Sequence, residues 1–160
     1  MEVVNAVYRG RLETKVDLAN LATKIPNSVL HTSRPSMLVL KDHDATIMIF
    51  VSGKFRIMGM VDELDATCKV LSVFSKADLV VEMVTLQTMT VKLKLLGPIN
   101  LHSLSNLVDS RLDLELFPAL SLQKYKPVSV NVFASGSVMI CGVKDLVIVS
   151  VIEHDLKLLL

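Results

Sequence analysis

The sequence predicts an α+β fold in which one unit is used twice. Two pseudo-symmetric repeats would form a curved antiparallel sheet with helices on its convex face. Three observations carry this. "IMIFVSGKFRIMG" (47–59) and "VNVFASGSVMICG" (130–142) are one hairpin pattern 83 residues apart. Phe50, Ser52, Gly53, Ile57 and Gly59 recur there as Phe133, Ser135, Gly136, Ile140 and Gly142. At the same offset, Leu18 and Leu21 of "DLANLATKI" recur as Leu101 and Leu104 of "NLHSLSNLV". Finally, each half closes on a long segment. The repeats divide a single domain of 160 residues into 1–78 and 79–160, a length that suits one core or two small halves sharing one.

The elements follow in order. "VVNAVYRGRLE" alternates and reads as a strand. Asp17 is placed to cap a short helix whose Leu18, Leu21, Ala22 and Ile25 fall at helical spacing, and Pro26 and Asn27 end it. "SMLVLK" and "TIMIF" are strands joined at "DHDA". "SGK" is a tight turn in which Gly53 is free to take positive φ, and "FRIMG" is the next strand. In "MVDELDATCKVLSVFSK", Val61, Leu64, Cys68, Leu71 and Ser75 form one stripe and the acids sit in the first turn, so the segment reads as a long amphipathic helix. The second half repeats the order. "VVEMVTLQTMTVKLKLL" is a long strand and "NLHSLSNLV" a short helix. "ALSLQKY", "PVSVNVF" and "SVMICG" are strands. The closing "VKDLVIVSVIEHDLKLLL" has the β-branched residues of a strand. Its length, and its match to the helix of the first half, make it a helix.

Composition narrows the function. At 51% hydrophobic and 21% charged, the chain is that of an ordered globular protein. No apolar run reaches membrane-spanning length, and the N-terminus lacks a signal-peptide pattern. Two distant cysteines, Cys68 and Cys141, suggest a reduced intracellular protein rather than a disulfide scaffold. Nothing points to an enzyme. His31, His43, His102 and His154 are scattered without metal-ligand spacing to the cysteines, and "VSGKF" lacks the glycine and hydroxyl residue of a phosphate loop. No cofactor or metal is expected. A formal net charge of +1 leaves any basic surface to local placement.

Alternation supplies such a placement. Asn5, Val7, Arg9 and Arg11 share one face of the first strand, and the offset carries them to Thr88, Thr90, Lys92 and Lys94. Each set ends in two basic residues.

The element order, with F-x-S-G-x-x-x-x-x-G in each half, resembles the core of the TATA-binding protein family from about Asn5 to Leu160. "NAVYRGRLETKVDL", "LQTMT" and, most specifically, "ELFPAL" followed by Lys126 and Pro127 add to it. The resemblance implies a saddle whose concave sheet lies on the minor groove of A/T-rich promoter DNA, in the nucleus or at a site of viral transcription. It implies phenylalanine wedges that kink the duplex. Phe117 and Phe133 would be one wedge pair. Phe50 belongs to the other, with Pro35, after Arg34, where its companion ring is expected. Phe55 and Phe74 read as core. Asn5 would hydrogen-bond in the groove, with Thr88 where the second repeat of the family has an asparagine. Arg9, Arg11, Lys92 and Lys94 would meet phosphates, and Val7, Thr90, Arg34, Lys54, Arg56 and Lys126 complete the candidate DNA contacts.

The resemblance also makes "RLDLELF" a stirrup loop whose Asp113, Glu115 and Leu116 would bind a transcription factor IIB-like protein and so recruit RNA polymerase machinery. Several positions depart from the family. Arg56, Met58, Met139 and Cys141 stand where small groove-facing side chains are expected. Val39 and Gln123 replace arginines, and the first long helix is not basic. Each assignment has a plain counterpart: solvent-facing charges, core phenylalanines, a bare loop tip. Taken together, the counterparts describe a protein-interaction module that kept the fold and lost DNA binding. An accessory domain of a nucleic-acid enzyme is a third possibility.

Overall fold

The structure, a computed structural model, describes all residues from Met1 to Leu160. It divides into two compact units, Asn5–Gln87 and Met1–Val4 with Thr88–Leu160. The elements of the first are β1 (Glu2–Leu12), α1 (Leu18–Lys24), β2 (Ser28–His31), β3 (Met37–Asp42), β4 (Ala45–Phe50), β5 (Lys54–Met58) and α2 (Glu63–Ser75). Strand β6 (Val81–Lys94) belongs to the first unit up to Gln87 and to the second from Thr88, and the second continues with α3 (Leu101–Ser105), β7 (Ser110–Leu112), β8 (Ala119–Leu122), β9 (Ser129–Phe133), β10 (Ser137–Val143) and α4 (Leu146–Leu159). The strand order is β2-β3-β4-β5-β1 in one and β6-β10-β9-β8-β7 in the other, with antiparallel pairing throughout each hairpin series. Matching β1 to β6 and β2–β5 to β7–β10 makes the two orders one. The α+β repeat expected from the sequence is the fold observed.

Local chemistry explains the helix starts. Asp17 accepts from the Ala19 and Asn20 amides, Asp62 from Asp65, Asn100 from Ser103 and Asp145 from Val147, so each helix opens on a side-chain cap. The closing segment is a helix despite its valines and isoleucines. Asp145 caps it, and Val149, Ile152 and Leu156 form a fully buried stripe. Tertiary packing of that stripe overrides the intrinsic strand preference.

One sequence expectation is corrected. Helix α2 exists, but the stripe that announced it is not the face it buries. Val61, Leu64 and Leu71 are 51%, 71% and 49% exposed and Cys68 is exposed, while Ala66, Val70, Val73 and Phe74 are buried. Both sets satisfy helical spacing. The second wins because the Phe74 ring packs on Phe55 with centroids 5.0 Å apart, a contact no local pattern reveals. Strands β2 and β7 are additions. Each is too short to alternate legibly, and each exists through its pairing with β3 or β8.

In each unit the helices and the inward-facing strand residues make the core. Leu38, Ile47, Ile49, Phe55 and Ile57 serve the first, and Leu93, Leu120, Val132, Val138 and Ile140 the second. The other sheet face carries no helix.

Candidate nucleic-acid interface

Strand registers define what the open face of each unit presents. In the first, Arg9 lies opposite Arg56, Arg56 opposite Met48, Met48 opposite Val39 and Val39 opposite Val29. In the second, the corresponding row is Lys92, Met139, Asn131, Ser121 and Arg111. A cation therefore begins both rows. A neighbouring row pairs Arg11 with Lys54, and its counterpart pairs Lys94 with Ser137.

The alternation read from β1 matches its burial, and on β6 it appears from Val91 to Lys94. Ala6, Tyr8, Gly10 and Leu12 turn inward while Asn5, Val7, Arg9 and Arg11 turn to the open side. On β6, Val91 and Leu93 are buried and Lys92 and Lys94 exposed, with Thr88 and Thr90 half-buried. The Asn5 side-chain oxygen accepts from the Gly59 amide at 3.1 Å. With its oxygen held, the amide group is left to donate, and the acceptors common to every A·T pair in the minor groove call for a donor. Lys94 donates to the Ser135 carbonyl at 2.7 Å, and Arg11 lies 3.4 Å from Glu82 with both half-exposed.

Arg9, Arg11, Lys54 and Arg56 line an open hollow of about 750 Å³ together with Pro35 and Phe50. Arg34 and Pro35 lie in the β2–β3 connection, and Lys126 in the β8–β9 connection. In the second unit Phe117 and Phe133 meet edge to face, with centroids 6.0 Å apart and planes at 67°. Phe117 is 45% exposed and Phe133 half-buried, as is Phe50, whereas Phe55 and Phe74 are fully buried in the core. The Asp113 carbonyl accepts from the Phe117 amide at 2.9 Å, closing a turn that holds Glu115 and Leu116 at its tip. Leu116 is 75% exposed there.

Sequence reasoning missed the polar cluster of the second open face. Ser121 donates to the Asn131 side-chain oxygen at 2.7 Å, and the Asn131 amide lies 3.4 Å from the Ser129 hydroxyl. Counting back by two from Phe133 would have placed Asn131 and Ser129 on that face. Ser121 and Arg111 needed the cross-strand register. No group of three metal-binding side chains occurs, and no helix is long and apolar enough to cross a membrane.

No curated protein sequence matches the chain significantly. Residues 1–75 match the family model described as transcription factor TFIID, or TATA-binding protein. Among solved structures, Methanococcus jannaschii TBP is similar over 99% of this chain and 97% of its own, with a TM-score of 0.86 and 23% identity. The first repeat thus matches the TATA-binding protein family model by sequence, and the chain from end to end shares the fold of Methanococcus jannaschii TBP.

Proposed function

We propose that the protein is a transcription initiation factor that binds A/T-rich promoter DNA in the minor groove and recruits a factor IIB-like partner. The observation that carries this is the pair of helix-free sheet faces, each with basic residues at matching strand positions: Arg9 and Arg11, Lys92 and Lys94. Phosphates dominate affinity in such complexes, and these side chains stand on the faces that would meet them. The exposed Phe117 ring supplies an apolar wedge. The turn tip of Glu115 and Leu116 supplies an acidic and apolar contact for the protein partner.

A band-shift or anisotropy titration of A/T-rich and random duplexes across a salt series tests the reading. Binding should be tighter to A/T-rich DNA. Replacing Arg9, Arg11, Lys92 and Lys94 together with alanine should flatten the slope of log affinity against log salt by roughly one unit for each phosphate no longer neutralised. Unchanged affinity and slope in a folded quadruple variant would exclude the role. The near-neutral charge favours the second reading, an interaction module without DNA binding. Absence of salt-sensitive binding by the parent protein would exclude the DNA-binding reading.

A further inference from the structure

We infer that the protein kinks its DNA once, at the base step beneath Phe117 and Phe133, and holds the other half-site by its phosphates without unstacking it. This rests on the DNA-binding reading above. The two open faces share a backbone plan but differ in what occupies it. In the second unit Phe133 lies opposite Ala119, and Phe117 stands two residues before Ala119. In the first, Phe50 lies opposite Met37, and two residues before Met37 stands Pro35. Where the second unit sets two rings edge to face, the first has one ring, a proline and an open hollow.

Charge separates the units further. The positions around the hollow are Arg9, Arg11, Lys54 and Arg56. Their register counterparts in the second unit are Lys92, Lys94, Ser137 and Met139. Four cations thus face two, and Lys94 already donates to the Ser135 carbonyl. Of the four, only Arg11 has a carboxylate partner, Glu82. A base step pressed into the first hollow would take charged groups out of water against an apolar stack, which is unfavourable without compensating anions. Phosphate oxygens compensate those charges, and guanidinium groups match them with paired hydrogen bonds. The second unit differs: an exposed apolar ring is backed by another, and the charges beside it, Arg111 and Asp113, are of opposite sign rather than four cations. Wedging suits one half and clamping the other.

The test is DNA bending, read by energy transfer between dyes at the ends of a short A/T-rich duplex at saturating protein, with binding measured separately by anisotropy. TATA-binding proteins bend DNA by roughly 80°. The parent protein should bend its duplex by clearly less than that value, because only one half wedges a base step. Phe117→Ala should lose most of the bend, while Phe50→Ala should leave it unchanged. Pro35→Phe, which restores the missing ring, should increase it. The melting transition of each variant reports whether it is folded, and the bend of the parent alone decides if any is not.

Equal losses from Phe50→Ala and Phe117→Ala would overturn the inference, as would a full bend in the parent or an unchanged bend in folded Pro35→Phe. A parent that binds no duplex at low salt would fail the DNA-binding reading itself, and this inference with it. A parent that binds and kinks twice overturns the inference alone.

Discussion

Alanine placed at Gly53, Gly97 and Gly136 separates two costs that usually arrive together. All three glycines hold nearly the same left-handed backbone, with φ of 81°, 83° and 81°. At Gly97 an added Cβ would meet nothing within 4 Å. Gly97→Ala should therefore cost only the left-handed penalty, roughly 1–2 kcal/mol. At Gly53 the Cβ would collide with the Thr14 carbonyl oxygen, and at Gly136 with the Gly97 carbonyl oxygen. Backbone atoms yield poorly, and these turns are tied. The Leu12 amide donates to the Gly53 carbonyl at 2.9 Å and the Leu95 amide to the Gly136 carbonyl at 2.8 Å. Steric overpacking adds about 1–3 kcal/mol, so Gly53→Ala and Gly136→Ala should each lose roughly 2–5 kcal/mol. Urea unfolding followed by circular dichroism reads the difference, provided the m-value is unchanged. In a melt, each kcal/mol should appear as a fall of about 2–4 °C for a chain of this size. Equal losses at all three sites, or a loss below about 1 kcal/mol at Gly53, would refute the idea that close backbone approach, beyond the sign of φ, makes the repeated turn require glycine.

Two further tests address packing and pH. Leu64→Glu and Leu71→Glu, on the exposed side of α2, should each change stability by less than about 0.5 kcal/mol. Phe74→Ala should cost about 3–5 kcal/mol, and the opposite ranking would mean that α2 faces the other way. The Tyr125 phenol is pushed up to about 12 by burial and by its hydrogen bond to the Asp155 carboxylate, 2.9 Å away. The folded state keeps the phenolic proton above the ordinary value. The resulting stability is present below about pH 10 and is lost as pH rises through about 12. Phenolate absorbance should rise late in the native protein, and earlier in Asp155→Asn. Hydrogen bonds from Lys124 and Tyr125 hold the Asp155 carboxyl below its ordinary value. Its contribution is therefore present at neutral pH and fades as acid carries the solution down through that lowered value.

Much of this protein is legible from local chemistry. The repeated glycine turns, the capping Asp17 and the alternation of β1 report geometry that a few adjacent residues determine. The offset of 83 residues then extends each reading to the other half. The open-face positions of Arg9, Arg11, Lys92 and Lys94 follow from period two alone. Other features depend on contacts distant in sequence. The stripe of Leu64, Cys68 and Leu71 and the stripe of Ala66, Val70 and Val73 are equally helical, and only the Phe74–Phe55 contact selects which one is buried. The last segment prefers a strand until Val149, Ile152 and Leu156 find a core to enter. Strands β2 and β7 exist because neighbours pair with them. Arg9 meets Arg56, and Ser121 meets Asn131, only through strand register. The repeated unit, and which residues point to each side of a strand, can be read from the chain because both depend on spacing along it. Which helix face is buried, and which charges share one hollow, emerge only on folding because both depend on what lies across from them.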